Sequence, residues 1–375
     1  MALKEGQCQD SENTVTALRV IKVDAGADPR WEGLVTRLPD SLVFHHPGWL
    51  QVIEEAFNYK PLHLACEDAD GQFCGILPLF FMRGLFTGRR FSSLPRTPVG
   101  GPLASNKQAM AALVDAAVKQ AGGVEGAQLQ IKMLSNALDG LVSGLVGVPW
   151  RQTYVVELPE QPELIRFGNS RNHAQIKRAV NKAINQGVEV SVAETERELH
   201  AWYQLYLETM RFVAVPPRPY RFFEIAWRRL SASGRLRLLL ARHYEAGKPR
   251  LIGGILLLMS GQTVFYAFSG WRREDQALRS NNLLHWRALH DACEEGFRYY
   301  DFGEVTQNNQ GLAQFKSKWG TQQSWLYRYY FPAPRELEAG MLDSESQASR
   351  LVGAVWRKLP LKATVALSNL AHRYF

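Results

Sequence analysis

The run LIGGILLLMSGQTVFYAF, residues 251–268, constrains this chain more than any other feature. An apolar stretch of that length raises the question of a membrane-spanning helix. Ser260-Gly261-Gln262 interrupts it in the middle, and both halves are rich in strand-forming residues. The reading is a buried hairpin, which with 235–244 makes three antiparallel strands at 235–244, 251–259 and 263–269.

The segments around that meander repeat an order. In the first half a strand at 17–23 precedes a helix at 28–38 and a second helix after His46-Pro47, with Trp49, Leu50, Ile53 and Phe57 on one face. A hairpin of 62–66 and 72–81 follows, then the Pro/Gly loop SSLPRTPVGGPLA (92–104), an Ala-rich helix at 107–120, and strands near 128–132 and 152–158. The second half opens with a helix at 171–186, capped by Asn169 or Ser170 and ended by Gly187. A strand (188–192), helices at 196–210 and 220–231, the meander, a helix at 280–295, a strand at 297–302, a short helix at 311–319 and a last strand at 323–331 complete it. The expected class is α+β, in two similar units at 17–160 and 161–331, and 375 residues suffice for two domains. Residues 1–16 read as extended or disordered, and 332–375 as an acidic linker and a basic amphipathic tail.

Charge is uneven along the chain. Between residues 166 and 250, sixteen Lys and Arg face seven Asp and Glu, whereas the rest holds 28 of the one and 29 of the other. The net charge of +8 therefore resides in one stretch and favours an anionic partner: phosphates, RNA or an acidic membrane surface. No docking motif for duplex DNA accompanies it. The cysteines (Cys8, Cys66, Cys74, Cys293) and histidines (His45, His46, His173, His243, His285, His290) show no metal-ligand spacing, so no metal is expected. The few cysteines and a polar start without a leader pattern predict a reducing, cytoplasmic setting. Patterns for nucleotide hydrolysis or dinucleotide redox chemistry are lacking, and no Ser/His/Asp arrangement stands out.

The segment YDFGEVTQNNQGLAQFKSKWG (300–320) resembles the FemAB/FemX aminoacyltransferases, and more so the FemAB-related, BioF2-like acetyltransferase proteins of Gram-negative bacteria. FHHPGWLQVIEEAF (44–57), GILPLFF (75–81) and VGGPLA (99–104) look like the N-terminal domain of that group, and SRNHAQIKRAVNKAINQGVEV (170–190) like the basic helix opening its C-terminal domain. The resemblance spans about 17–331 and implies two tandem GNAT-like domains flanked by a C-terminal helical tail. It further implies metal-free transfer of an acyl or aminoacyl group to an amine, with aminoacyl-tRNA or acyl-CoA as donor. No Q/R-x-x-G-x-G/A pyrophosphate loop lies between Ser269 and Leu284, and no coiled-coil insertion is present.

Within that frame the residues take roles. The Phe-Lys pair falls on Phe315-Lys316, where a fixed ammonium would stabilise the oxyanion of acyl transfer. Leu312, Phe315 and Trp319 share one face, which alternatively makes Lys316 the wet side of an amphipathic helix. Asp301 or Glu304 would accept the proton of the attacking amine, and Gly303 would let the backbone turn away. Tyr266 lies beside the expected acyl channel, and Arg279, Ser280 (as N-cap) and Asn281 stand where a helix N-terminus meets an anion. Arg171, Arg178 and Lys182 form a stripe opposite Ile176, Val180 and Ile184, suited to a phosphate-bearing or lipid-linked acceptor, tRNA or a bilayer. The tail 349–375, with Trp356, Leu361 and Val365 among Arg357, Lys358 and Lys362, suits an interfacial helix broken at Pro360, or one docked on the protein itself. The expected function is transfer to an amine of a cell-envelope or exopolysaccharide precursor. Acyl-CoA-dependent N-acetyl transfer and a non-catalytic glycan-, RNA- or lipid-binding scaffold are the alternatives.

Overall fold

The computed structural model describes residues 18–84, 88–245, 247–334 and 355–374; the stretch 1–16, Cys8 and most of the acidic linker lie outside them. The first half contains β1 (Arg19–Lys22), α1 (Pro29–Arg37), α2 (Pro47–Phe57), β2 (Lys60–Pro61), β3 (Leu64–Glu67), β4 (Phe73–Leu77), β5 (Phe80–Gly84), β6 (Gly88–Ser92), β7 (Leu103–Ala104), α3 (Lys107–Gly122), β8 (Ala127–Met133) and β9 (Val146–Glu157). The second contains α4 (Ser170–Asn185), β10 (Val188–Val192), α5 (Glu196–Val213), α6 (Tyr220–Leu230), β11 (Leu236–Glu245), β12 (Lys248–Ser260), β13 (Thr263–Trp271), α7 (Ser280–Glu294), β14 (Tyr299–Val305), α8 (Gln310–Ser317), β15 (Gln322–Phe331) and α9 (Leu361–Tyr374).

Local chemistry sets most boundaries. Pro29 and Pro47 open their helices, where the missing N–H costs nothing. Asn169 accepts from the Asn172 amide at the start of α4, and Gly187, at φ +74°, ends it. Thr195 and Glu198 form a reciprocal cap on α5. The run 251–268 is indeed a hairpin: Ser260 pairs with Thr263, and β12 is buried from Ile252 to Met259. The expected strand at 72–81 divides at Pro78, which has no N–H to give a ladder; β4 and β5 then enter different sheets.

An eleven-stranded sheet, in the order β10-β11-β12-β13-β14-β9-β15-β8-β6-β5-β2, runs through both halves, and β1-β3-β4-β7 form a second sheet. The halves share a topology: a strand, two helices, antiparallel strands, then a helix leading to a strand parallel to its predecessor. In the first half that parallel pair is β6 with β8, in the second β13 with β14. This is the expected α+β class, with a helical C-terminal region. A core straddles the halves, packing Trp31, Phe44, Trp49 and Ile53 of the first with Trp202, Phe222, Phe223 and Leu256 of the second. The first half thus roofs one face of the second half's sheet, and the site lies between them.

Candidate active site

β13 and β14 pair only over Thr263–Phe265 and Tyr299–Asp301, then separate. Beyond that point β14 breaks register with β9 between Asp301 and Glu304, and Gly303 takes φ +77°. The splayed carbonyls need donors. Lys316 supplies them, its Nζ donating to Gly303 O (2.9 Å) and Glu304 O (3.2 Å). Its side chain is the buried one of α8, while Leu312, placed by spacing on the apolar face, is exposed. Spacing alone could not decide this, because the demand for a cation comes from a strand outside the helix. Phe315 lies behind, its ring 5.8 Å from His285 and 6.3 Å from Trp319.

Asp301 is buried and accepts from Thr153 Oγ1 (2.8 Å) and the Gly303 amide (2.7 Å). Burial raises its pKa to about 6 against those hydrogen bonds, while burial draws Lys316 down to about 8. Glu304 stands 3.9 Å from Arg151. The Tyr266 ring packs edge-on against His285 at 4.7 Å, and His285 Nδ1 lies 3.0 Å from the Tyr300 hydroxyl. Burial, helped by Lys316, pushes the His285 pKa to about 3, so this imidazole is neutral.

A cavity of about 320 Å³ opens onto Tyr266, Asp301, Gly303 and Glu304. Its opposite wall is the Pro/Gly loop of the first half together with Trp49, Trp150 and Arg218. Leu94 and Arg96 hold left-handed backbone (φ +57° and +66°), a strain that persists only when neighbours fix it. Three basic side chains do so by capping the loop's carbonyls. Lys132 Nζ donates to Leu94 O (2.7 Å) and Thr97 O (3.1 Å), Arg328 Nη1 to Pro98 O (2.6 Å), and Arg218 Nη2 to Arg96 O. Arg328 also lies 3.6 Å over the Trp150 ring, whose other close cation, Arg151, is at 4.3 Å. Arg218 stacks on Phe222 (4.9 Å) and Phe268 (5.3 Å), and burial lowers its pKa to about 10. Arg218 Nη1 and Arg96 Nη2 are buried with no hydrogen-bond partner. Buried donors without a partner are costly and suit an anion that brings acceptors with it.

The sequence reading missed Arg96, Arg218, Thr153 and Trp150. One signal was there: Pro95-Arg96-Thr97-Pro98 and Pro217-Arg218-Pro219 set both arginines between prolines, in loops with little freedom to swing. Other expected residues are elsewhere. Arg279 itself occupies the N-cap position of α7, at φ +61°, with no side-chain cap; Ser280, expected to be the cap, is the first helical residue and is buried. A left-handed residue turns the chain one position earlier than a serine cap would. Asn281 follows it on α7, and none of the three lines the cavity. Arg171, Arg178 and Lys182 are exposed on α4, and so is Ile184 (53%), which the helical spacing placed on the buried side. α4 ends there with only Ile176, Val180 and Ala183 buried. Among the described residues no group of three or more His, Cys, Asp and Glu is placed to hold a metal ion.

Residues 170–317 match the family model described as an acetyltransferase (GNAT) domain. The chain carries a GNAT acyltransferase domain. No curated protein sequence matches it. Among solved structures, FemX superposes with a TM-score of 0.63 at 16% identity, covering 87% of this chain and 100% of FemX. The C-terminal domain of a putative lysylphosphatidylglycerol synthetase from Agrobacterium fabrum gives 0.55 at 12%, covering 84% and 94%. L-PGS from Bacillus licheniformis gives 0.52 at 11%, covering 81% and 96%. At such identities the likeness is one of fold. The GNAT domain contributes the Asp301–Lys316 side of the cavity, and the first half contributes the loop of Arg96.

Proposed function

We propose that this acyltransferase moves an acyl or aminoacyl group onto an amine of an acceptor that also carries a phosphate or similar anion. The buried guanidinium nitrogens of Arg96 and Arg218 that have no hydrogen-bond partner carry this reading, on two residues that line the cavity together with Asp301 and Glu304. The acceptor's anion binds the arginines and its amine points to Asp301, which takes the proton as the nitrogen attacks the donor carbonyl. Lys316 keeps one N–H beyond its two carbonyl bonds, and its charge stabilises the oxyanion field from behind the strand. Glu304, Tyr266 and Phe315 shape the reaction chamber, Arg279, Ser280 and Asn281 attend the donor, and the Arg171, Arg178 and Lys182 stripe serves long-range attraction.

FemX and the lysylphosphatidylglycerol synthetase domain, as folds, favour an aminoacyl-tRNA donor and a lipid-linked or peptidoglycan-type acceptor, with exopolysaccharide precursors as further candidates in a cytoplasmic setting. The GNAT family model favours the second reading, an acyl-CoA donor. The division at residue 160 is part of the proposal: 17–160 supplies the Arg96 loop, and 161–331 supplies Arg218 and the chemistry. The test is a transfer assay with charged tRNA and with acetyl-CoA, against amine acceptors that do or do not bear a phosphate. The wild type is expected to prefer phosphate-bearing acceptors, and Arg218→Ala to lose that preference while remaining folded. Equal use of both acceptor types by wild type and variant overturns the reading.

A further inference from the structure

The end of α5 and the loop after it carry Arg218 and the buried Pro217 inward but leave an apolar tip outward. Phe212, Val213 and Val215 are 39%, 43% and 47% exposed, and Pro216 is exposed beside them. Val355, 61% exposed, is brought to the same place because Arg357 Nε donates to Phe212 O (3.1 Å). Cations border this apolar tip. Arg211 closes α5, Arg273 holds its guanidinium 4.2 Å from the Phe212 ring, and Arg357 and Lys358 stand next to Val355. None of these four makes a salt bridge among the described residues. Of the carboxylates nearest in sequence, Glu208 lies on α5 three residues before Arg211, and Glu274 lies 3.8 and 3.9 Å from Arg250 and Arg272.

Isolated exposed apolar side chains need no explanation, but an apolar tip bordered by cations that make no salt bridge among the described residues does. We propose that this surface docks onto an anionic phospholipid bilayer. Val213, Val215 and Val355 enter the headgroup layer, while Arg273, Arg357 and Lys358 meet lipid phosphates. The aliphatic centre favours lipid over RNA, whose unstructured strands are gripped by cations together with open aromatic faces. Attachment is interfacial, since among the described residues no helix is long and apolar enough to cross a membrane. Of the two readings of the tail, a free interfacial helix or one docked on the protein, α9 takes the second. Leu361 and Val365 pack against the core, Thr364 and Ser368 are buried, and α9 contacts α5 and β5, while Val355, Arg357 and Lys358 before Pro360 are exposed, as is Leu367 on α9. Because Arg218 belongs to the same loop, a lipid-linked acceptor would enter the cavity directly from the docked face; this last point rests on the function proposed above.

The test is flotation of the full chain with vesicles of phosphatidylglycerol and phosphatidylethanolamine, against vesicles of phosphatidylcholine alone. Binding to the anionic vesicles is expected, lost in high salt, and about tenfold weaker in both V213S/V215S and R273E/K358E. Both variants are expected to transfer to a water-soluble acceptor as the wild type does, which shows that they fold. Absence of binding to anionic vesicles, or variants that bind like the wild type, overturns the proposal. So does uncharged tRNA displacing the protein from vesicles at the R273E/K358E-sensitive site. Failure of the acyl-transfer reading is seen separately, in the Arg218→Ala assay on soluble acceptors without vesicles.

Discussion

Two basic regions arise from the same charge-rich stretch and have opposite physical character. The α4 stripe of Arg171, Arg178 and Lys182 is exposed, so each charge keeps its water and is screened within about 10 Å at ordinary salt. Arg218 is largely desolvated, lies on aromatic faces, and retains a buried guanidinium nitrogen without a hydrogen-bond partner, as Arg96 does. Exposed charges attract any anion weakly; buried ones bind one anion in one geometry. Between these extremes, five members of the stretch are neutralised by carboxylates. Arg229 pairs with Glu55, Arg235 with Glu32, Arg237 with Glu295, Arg242 with Glu198 and Arg250 with Asp275. Four of those five carboxylates come from outside the stretch, so the excess seen along the chain is largely dispersed in space.

The comparison breaks most decisively at the cavity. Arg96→Ala and Arg218→Ala are each expected to lower kcat/KM for a phosphate-bearing acceptor about a hundredfold, consistent with about 2–5 kcal/mol for stripping a buried charge of its partner. Because both hold one anion, the double variant should cost far less than the product of the two; a fully multiplicative double-mutant cycle would show that they act apart. Next comes the pair behind the strand. With Asp301 near 6 and Lys316 near 8, activity should rise through about pH 6 as the carboxylate ionises, and fall above about pH 8 as the ammonium loses its proton. Lys316→Ala should remove the upper limb and cost about a hundredfold in kcat, whereas Asp301→Asn should remove the lower limb. A profile flat between pH 5 and 9, with those pKa values in place, would dissociate both groups from the chemistry. The smallest effect belongs to α4. R171E/R178E/K182E should change kcat/KM less than about threefold at physiological salt, with any loss growing as salt is lowered. A large, salt-independent loss there would make the stripe a contact surface for substrate and erase the distinction.

Much of the fold was legible because its signals are local. The hairpin at 251–268 followed from a break in an apolar run, α4 from Asn169 and Gly187, and the repeated element order from successive periodicities. Asp301, Gly303 and Lys316 could be singled out from the 300–320 segment, and they do converge. The inward turn of Lys316 was not legible, because its helix pattern reads outward and only the opened β14 carbonyls invert it. Nor was the arginine cavity, lined by Arg96 and Arg218, with Arg151 and Arg328 stacked on Trp150 of its wall.

By itself, then, the sequence determined most strands and helices, the cap of α4 and the chemistry-bearing segment, since each depends on neighbours within a few residues. Tertiary structure alone decided which charges lose their water. That outcome requires the first half to lie over the sheet of the second, bringing a strained proline-flanked loop against Lys132, Arg218 and Arg328. Desolvation is a property of everything that surrounds a side chain, and no stretch of sequence holds its own surroundings.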